Sequence, residues 1–355
     1  MSFQSFFVSL HRIIKTINKD NMNYEVVTKN ILNGLKSYFE KNGIKTAVLG
    51  ISGGIDSTVT AALCKICGIH LVGISMPCST NKGDEVSAAK NVGSEFCDEF
   101  KEISIQNAFE AVSKLTDMAS DMKETPISQG NIKARVRMIT LYDIASKRRG
   151  IVLDTDNLTE HYLGFWTLKG DEGDFNPIGG LWKHEVYGLA RYLNETYFGN
   201  SSEALNASIG LAPTDGNGVS NTDLDQIAPN KTYDDVDEIL MAWVNLDPRI
   251  KKSVIDSGYT EGVFKELSEK HGNDIVSMVI QRSLNSEFKR KSRPFIIDIV
   301  NGNILEKNGN VMPNEMLWTM GKEKKKYLEW RFRMNNHHKY HKLCHQWLSK
   351  INAEQ

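Results

Sequence analysis

The chain has 355 residues, 40% of them hydrophobic and 25% charged, with a formal net charge of −1 at pH 7. That length suits one large α/β domain with an appendage, or two domains, and the composition is that of an ordinary globular protein. The near-neutral charge gives no global attraction to nucleic acid or an anionic membrane, and no apolar run reaches the length of a membrane span.

Met1 to Leu10 carries Phe3, Phe6, Phe7 and Val8 but no basic n-region or small-residue cleavage site, so it reads as a short docking helix rather than a signal peptide. Tyr24, Val27, Ile31, Leu35 and Phe39 recur at helical spacing, and Gly43 stops that helix. The apolar run Thr46 to Leu49 predicts a first strand, followed by a glycine turn and a helix over Val59 to Cys67. His70 to Ser75 predicts the second strand, Asn81 to Phe96 a helix, and Phe100 to Ile105 a third strand. Ala108 to Met118 is helical, and a polar loop is expected through Ser128, Gln129 and Gly130. Asn131 to Lys147 predicts a long helix with Ile132, Val136, Ile139 and Ile144 on its apolar side. Ile151 to Leu153 is a buried strand ending in Asp154-Thr155-Asp156-Asn157. Strands alternating with helices at this spacing predict an α/β fold, a doubly wound parallel sheet covered on both faces. Ligands of such sheets sit at the C-terminal ends of the strands, where one pocket can hold segments about a hundred residues apart.

Five cysteines, Cys64, Cys67, Cys78, Cys97 and Cys344, form no even-numbered framework, which fits a reducing cytoplasm. The Cys64-x-x-Cys67 pair falls inside a helix rather than at its N-terminus, so buried, inert thiols are the better reading than a redox pair.

The segment Gly50-Ile51-Ser52-Gly53-Gly54-Ile55-Asp56-Ser57-Thr58 carries the chemistry. Strand, tight turn and helix start aim backbone N–H groups and the positive end of a helix dipole at one point, which suits a phosphate. Gly53 and Gly54 allow close approach, Ser52, Ser57 and Thr58 add hydroxyls, and Asp56 supplies a carboxylate for a phosphate-bound Mg²⁺. No Gly-Lys-Ser/Thr follows the glycines, so this is not the lysine-containing phosphate loop of GTPases. The order Ser-Gly-Gly-x-Asp-Ser resembles instead the loop of ATP pyrophosphatases, of the adenine nucleotide alpha hydrolase-like fold.

Further along lie Asp154 to Glu160, Gly164-Phe165-Trp166-Thr167, Lys169 to Asp174, Asn176-Pro177-Ile178 and Leu181-Trp182-Lys183. With the glycine loop and Asn131-Ile132-Lys133-Ala134-Arg135-Val136-Arg137-Met138, these motifs in this order resemble NAD synthetase from about Tyr24 to about Pro294. The resemblance implies that deamido-NAD, ATP and ammonia are substrates. The carboxylate of deamido-NAD attacks the α-phosphate of ATP, pyrophosphate leaves, and ammonia displaces AMP from the adenylate to give NAD. It further implies that Gly50 to Ser57 hold the ATP phosphates, with Thr155, Lys183 and Thr214 also on ATP. Asp56 and Glu160 are the implied Mg²⁺ ligands, and Lys183 the implied cation on the departing pyrophosphate. Asn131, Arg135, Lys169, Asp174 and Lys289 are the residues it assigns to deamido-NAD.

This chain departs from the pattern at several places. Leu168 stands where many relatives carry lysine, with Lys169 one residue later, and aligning Asp174 needs a one-residue gap. Phe288 replaces a histidine, and Asp154 stands where glycine is common. The glycine-rich loop Gly210 to Asp225 reads as a lid beside the site.

The expected organisation is an N-terminal segment 1–22, a synthetase domain 23–297 and a basic C-terminal α+β extension 298–355. In the extension, Phe295 to Val300 and Ile304 to Val311 predict a hairpin, and Lys322 to Lys350 a basic helix. His337, His341 and His345 share one helix face, read as solvated, with metal chelation as the alternative. Only about 45 residues precede the first strand, too few for a glutamine amidase domain, so free ammonia or a separate ammonia source is expected. The resemblance also implies a homodimer. A tRNA-modifying ATP pyrophosphatase and a non-catalytic nucleotide-binding relative are the alternatives; the 155–183 block favours the synthetase over both.

Overall fold

The computed structural model describes residues 22–81, 83–119, 122–214 and 224–290, with the backbone of 296–297 and 304–305. The expected N-terminal docking helix, residues 215–223 of the glycine-rich loop, and the basic helix with its histidine face lie outside the described residues.

The first strand, β1 (Thr46–Gly50), is buried on both faces, and its period-two alternation feeds two cores. Ala47 and Leu49 join Leu71 in one; Val48 joins Val72, Ile74 and Val152 in the other. β1 pairs in parallel with β2 (His70–Ser75), Val48 opposite Val72, and with β4 (Ile151–Val152), Val48 opposite Val152. β3 (Glu99–Glu102) completes the parallel order β3-β2-β1-β4.

The first core is closed by α1 (Tyr24–Asn42), α2 (Ile55–Cys67), α3 (Gly83–Phe96), α7 (Lys183–Phe198) and α8 (Glu203–Gly210), through Leu35, Leu63, Phe96, Leu189 and Leu205. The opposite face is covered by α4 (Gln106–Met118) and α5 (Pro126–Arg148), through Phe109 and Val136. Helices lie on both faces, as expected of a doubly wound sheet. A third core, with Leu163, Val236, Leu240, Phe264 and Val279, unites α6 (Leu158–Leu163), α9 (Tyr233–Val244), α11 (Gly262–His271) and α12 (Asn273–Asn285), with α10 (Pro248–Asp256) between α9 and α11.

Two expectations need correction. α5 starts at Pro126, so Ser128 to Gly130 are helical and not a loop. Thr125 Oγ1 accepts from Ser128 N at 3.1 Å and Ser128 Oγ accepts from Thr125 N at 2.8 Å, a reciprocal cap with proline at the helix start. Ile139, placed on the apolar side of that helix by its spacing, is 62% exposed.

The chain divides into two compact units, the second starting at Phe288. In the second, β5 (Ile296–Ile297) and β6 (Ile304–Leu305) pair antiparallel, Ile296 opposite Leu305, where a hairpin is expected. In the first, the chain steps outward from β1 to β2 to β3 and then returns to the other side of β1 as β4. The topological switch therefore lies between the C-terminal ends of β1 and β4. The glycine loop leaves one end and Asp154 to Asn157 the other.

Candidate active site

β1 hands over to a turn in which Gly53 has φ +85°, a left-handed value that a side chain resists. Space forbids a side chain there as well. A Cβ on Gly53 would lie 2.6 Å from the Glu85 carbonyl oxygen and 2.7 Å from the Ala89 nitrogen, so α3 packs directly on the loop. Ser52 Oγ accepts from Gly54 N at 3.2 Å and lies 3.1 Å from Ser57 Oγ. Thr58 Oγ1 is fully buried and donates to the Gly54 carbonyl at 2.8 Å, so it shapes the loop and does not reach outward. Gly54 is the N-cap of α2 and offers no side-chain cap, which presents the positive helix end to any anion seated in the turn.

Three helices starting around this switch point bring Asp56, Glu160 and Lys183 together. Lys183 Nζ donates to Asp56 Oδ2 at 2.5 Å and to Glu160 Oε1 at 2.9 Å, with its side chain only 4% exposed. Asn157, fully buried, donates from Nδ2 to Asp56 Oδ1 at 2.9 Å. The same Asn157 caps α6: its Oδ1 accepts from Glu160 N, and Glu160 Oε2 accepts from Asn157 N, both at 3.1 Å. Each oxygen of Glu160 is thus oriented, one by its own helix cap and one by Lys183. The Tyr233 ring lies 5.2 Å from Lys183 Nζ.

The electrostatics follow from this packing. Burial pulls the Lys183 ammonium down, but Asp56 and Glu160 outweigh it and hold the amine well above its ordinary range. Burial pushes the Glu160 carboxyl up to about 7, opposed by Lys183 and reinforced by Asp56. Asp156 is raised well above the usual carboxylate range by burial and by the charges of Asp154, Glu160, Asp171 and Asp56. Burial also raises Asp154, against the N–H groups of Asp156 and Gly173 that its carboxylate accepts at 2.8 and 3.2 Å. The strand ends thus gather several acids close to the buried Lys183 ammonium.

The remaining expected residues lie outside this cluster. Thr155 lies three residues past the end of β4, with its backbone N–H on the Asp154 carboxylate. Thr214 Oγ1 donates to Glu85 Oε1 at 2.5 Å, on the helix that packs against Gly53. Asn131 Oδ1 accepts from Thr167 Oγ1 at 2.8 Å, and Arg135 Nη2 donates to the Leu168 carbonyl at 3.2 Å. Both therefore hold the segment that follows α6. Lys169 is largely exposed, with φ +58° and an ion pair to Glu172 at 3.4 Å. Asp174 extends the edge of β4: its Oδ2 accepts from Val152 N at 2.9 Å and its Oδ1 from Tyr142 Oη at 3.2 Å. Lys289 lies on the 3-10 turn Glu287–Arg290, in the second unit.

Sequence reasoning passed over Asp156, Asn157, Thr159, His184, Tyr233 and Asp237. Asp156 and Asn157 were legible as polar residues at a strand end. Asp237 carried no signal, since it is one of four acids in the first half of α9 and lies 78 residues from its partner Thr159.

Comparison with known proteins decides the family. The model of the NAD synthase family matches residues 27–293. The chain belongs to the NAD synthase family. Relatives in that family include the NH(3)-dependent NAD(+) synthetase of Fusobacterium nucleatum, 29% identical over 278 residues, covering 78% of this chain and 96% of that one. The NH(3)-dependent NAD(+) synthetase of Finegoldia magna is 32% identical over 243 residues, covering 65% of this chain and 93% of that one. Among solved structures, an NMN synthetase from Francisella tularensis superposes with TM-score 0.60 at 25% identity, covering 76% of this chain and 97% of that one. The NH3-dependent NAD synthetase of Campylobacter jejuni, solved with nitrate, gives TM-score 0.57 at 26% identity, covering 78% and 100%. The first unit of this family member therefore carries the fold of the synthetases, and the glycine loop and the Asp56–Lys183–Glu160 cluster lie within the matched residues.

Proposed function

We propose that this protein amidates the nicotinate carboxylate of deamido-NAD, using ATP and ammonia, to give NAD, AMP and pyrophosphate. The observation that carries the reading is the buried Asp56–Lys183–Glu160 cluster beside an uncapped phosphate-loop helix at the β1/β4 switch. A carboxylate is a poor acyl donor because oxide would have to leave. Attack of its oxygen on the α-phosphate breaks the bond to the bridging oxygen, releases pyrophosphate and leaves AMP as the leaving group. Ammonia then forms the C–N bond, AMP departs and a proton passes to solvent.

In this reading the turn 52–57 and the N-terminus of α2 hold phosphate oxygens. Lys183 neutralises charge that builds on the pyrophosphate. Asp56 and Glu160 fit a Mg²⁺, since both are hard oxygen donors, and the crowded acids around Asp156 are relieved by a cation. Among the described residues no three His, Cys, Asp or Glu side chains suffice to hold a metal by themselves. Asp56 and Glu160 would hold a magnesium there, and the ion would withdraw charge from the phosphates. Thr155 and Thr214 are assigned to ATP, and Asn131, Arg135, Lys169, Asp174 and Lys289 to deamido-NAD.

A homodimer is part of the proposal. In its support, Leu115, Met118, Met122, Ile127 and Ile139 are 60 to 82% exposed, and Ile127 and Ile139 lie on α5, the helix that also carries Asn131 and Arg135. A cytoplasmic location is supported by the free thiols of Cys64, Cys67, Cys78 and Cys97. No described helix is long and apolar enough to cross a membrane.

A second reading takes nicotinate mononucleotide as the acid. The Francisella neighbour is an NMN synthetase. Asn131, Arg135 and Asp174 also spend hydrogen bonds on their own chain. One assay separates the two: purified protein, ATP, Mg²⁺ and ammonium with either acid, reading amide product and AMP in equal amounts. NAD formed from deamido-NAD with the higher kcat/KM supports the first reading. NMN formed with the higher kcat/KM supports the second. No ATP-dependent amide at any ammonium concentration rejects both.

A further inference from the structure

α7 begins at Lys183, and its N-cap, Trp182, has no acceptor with which to cap it. The first N–H groups of a helix need partners, and a cation in the first turn opposes the dipole. Both problems are met from other helices. Lys183 N donates to Thr159 Oγ1 on α6 at 2.8 Å, and His184 N donates to Asp237 Oδ2 on α9 at 3.0 Å. Thr159 Oγ1 donates onward to Asp237 Oδ1 at 2.5 Å, and His184 Nδ1 lies 2.8 Å from Asp237 Oδ2. Asp237 and Thr159 are fully buried. Burial lowers the His184 imidazole, but the hydrogen bond and charge of Asp237 outweigh it and raise it, so a proton sits on the Nδ1 that faces the acid.

The network has one focus. Thr159 precedes Glu160 on α6, and Tyr233, one turn before Asp237 on α9, places its ring under the Lys183 ammonium. α9 therefore reaches Lys183 twice, at its head group and through Thr159 at its backbone. A buried acid used only for packing would cost desolvation and gain nothing over an apolar residue.

We propose that Asp237, acting through Thr159 and His184, is a positioning residue that caps α7 from outside and fixes the Lys183 ammonium between Asp56 and Glu160. Asp237 touches no substrate in this account. It rests on the proposed amidation only for its kinetic readout.

The test is Asp237→Asn, which keeps shape and removes the charge. Expected is a kcat for amide formation lowered about tenfold or more, with KM for ATP and for the acid within about twofold. In a Lys183→Met background the same substitution is expected to change residual kcat by less than about twofold, because the group it positions is gone. A kcat within about twofold of wild type, or an equal drop in both backgrounds, overturns the proposal. If Asp237→Asn does not fold, Thr159→Val breaks the relay and carries the same expectations. An arm independent of turnover is the ¹³Cε resonance of Lys183, assigned by its loss in Lys183→Met. It is expected to shift in Asp237→Asn, and an unmoved resonance overturns the proposal even if neither acid is amidated.

Discussion

Lys183 and Arg135 are both cations near the ends of parallel strands, yet the fold holds them in opposite ways. Lys183 is 4% exposed and clasped by two carboxylates that are themselves oriented by Asn157 and by a helix cap. Arg135 is exposed and makes a single described bond, to the backbone carbonyl of Leu168. The first arrangement suits charge that develops at a fixed point, as in phosphoryl transfer, where preorganised groups need no rearrangement. The second leaves a planar donor able to turn toward a ligand carboxylate or phosphate. In the proposed reaction the locked helix ends would serve the phosphates, and the exposed side chain with the segment it steadies would serve the acid substrate.

Substitutions on the locked side should act on kcat and by large factors. Lys183→Met is expected to lower kcat about a thousandfold, roughly 4 kcal/mol of transition-state stabilisation; steady-state rates of amide formation measure it. Retention of a tenth of wild-type activity would mean that Lys183 only neutralises its neighbours. Asp56→Asn and Glu160→Gln are each expected to cost about a hundredfold or more, read in the same assay across a magnesium titration. Rates that stay near wild type would remove both residues from the metal assignment.

The exposed side should respond differently. Arg135→Ala is expected to raise KM for the acid substrate about tenfold, near 1.4 kcal/mol, with kcat and KM for ATP little changed. A fall in kcat at saturating acid would erase the contrast between the two sides.

The smallest effect is in stability. Glu160 is raised to about 7 in the folded chain from an ordinary 4.5. A carboxyl raised by folding contributes stability below its unfolded value, and that contribution is lost as pH climbs toward the folded one. Tm of Glu160→Gln measured against wild type, without nucleotide, should therefore improve by a few degrees between about pH 4.5 and pH 7. A difference that stays constant with pH would mean that Glu160 is ionised throughout.

Local features of this fold were legible and distant pairings were not. The β1 turn announced itself because Gly53, Gly54 and Asp56 are neighbours, and His70–Ser75 has the observed bounds because a buried parallel strand is a continuous apolar run. The start of α5 was missed because Thr125 and Ser128 cap each other three residues apart in a stretch that reads as polar loop. Ile139 misled because helical periodicity marks an apolar side without saying what covers it. The cap of α7 was invisible, since Asp237 lies 53 residues from His184 and 78 from Thr159. Asp174 shows the reverse: the motif assigns it to substrate, while the fold also uses its carboxylate to finish the edge of β4.

The central claim is that the locked cluster carries adenylation of the acid before nitrogen arrives. Exchange of labelled pyrophosphate into ATP, measured with Mg²⁺ and no ammonium, tests it directly. Exchange is predicted to require deamido-NAD, to vanish in Lys183→Met, and to persist in Arg135→Ala at saturating acid. Exchange without any acid, or undiminished exchange in Lys183→Met, would contradict the account.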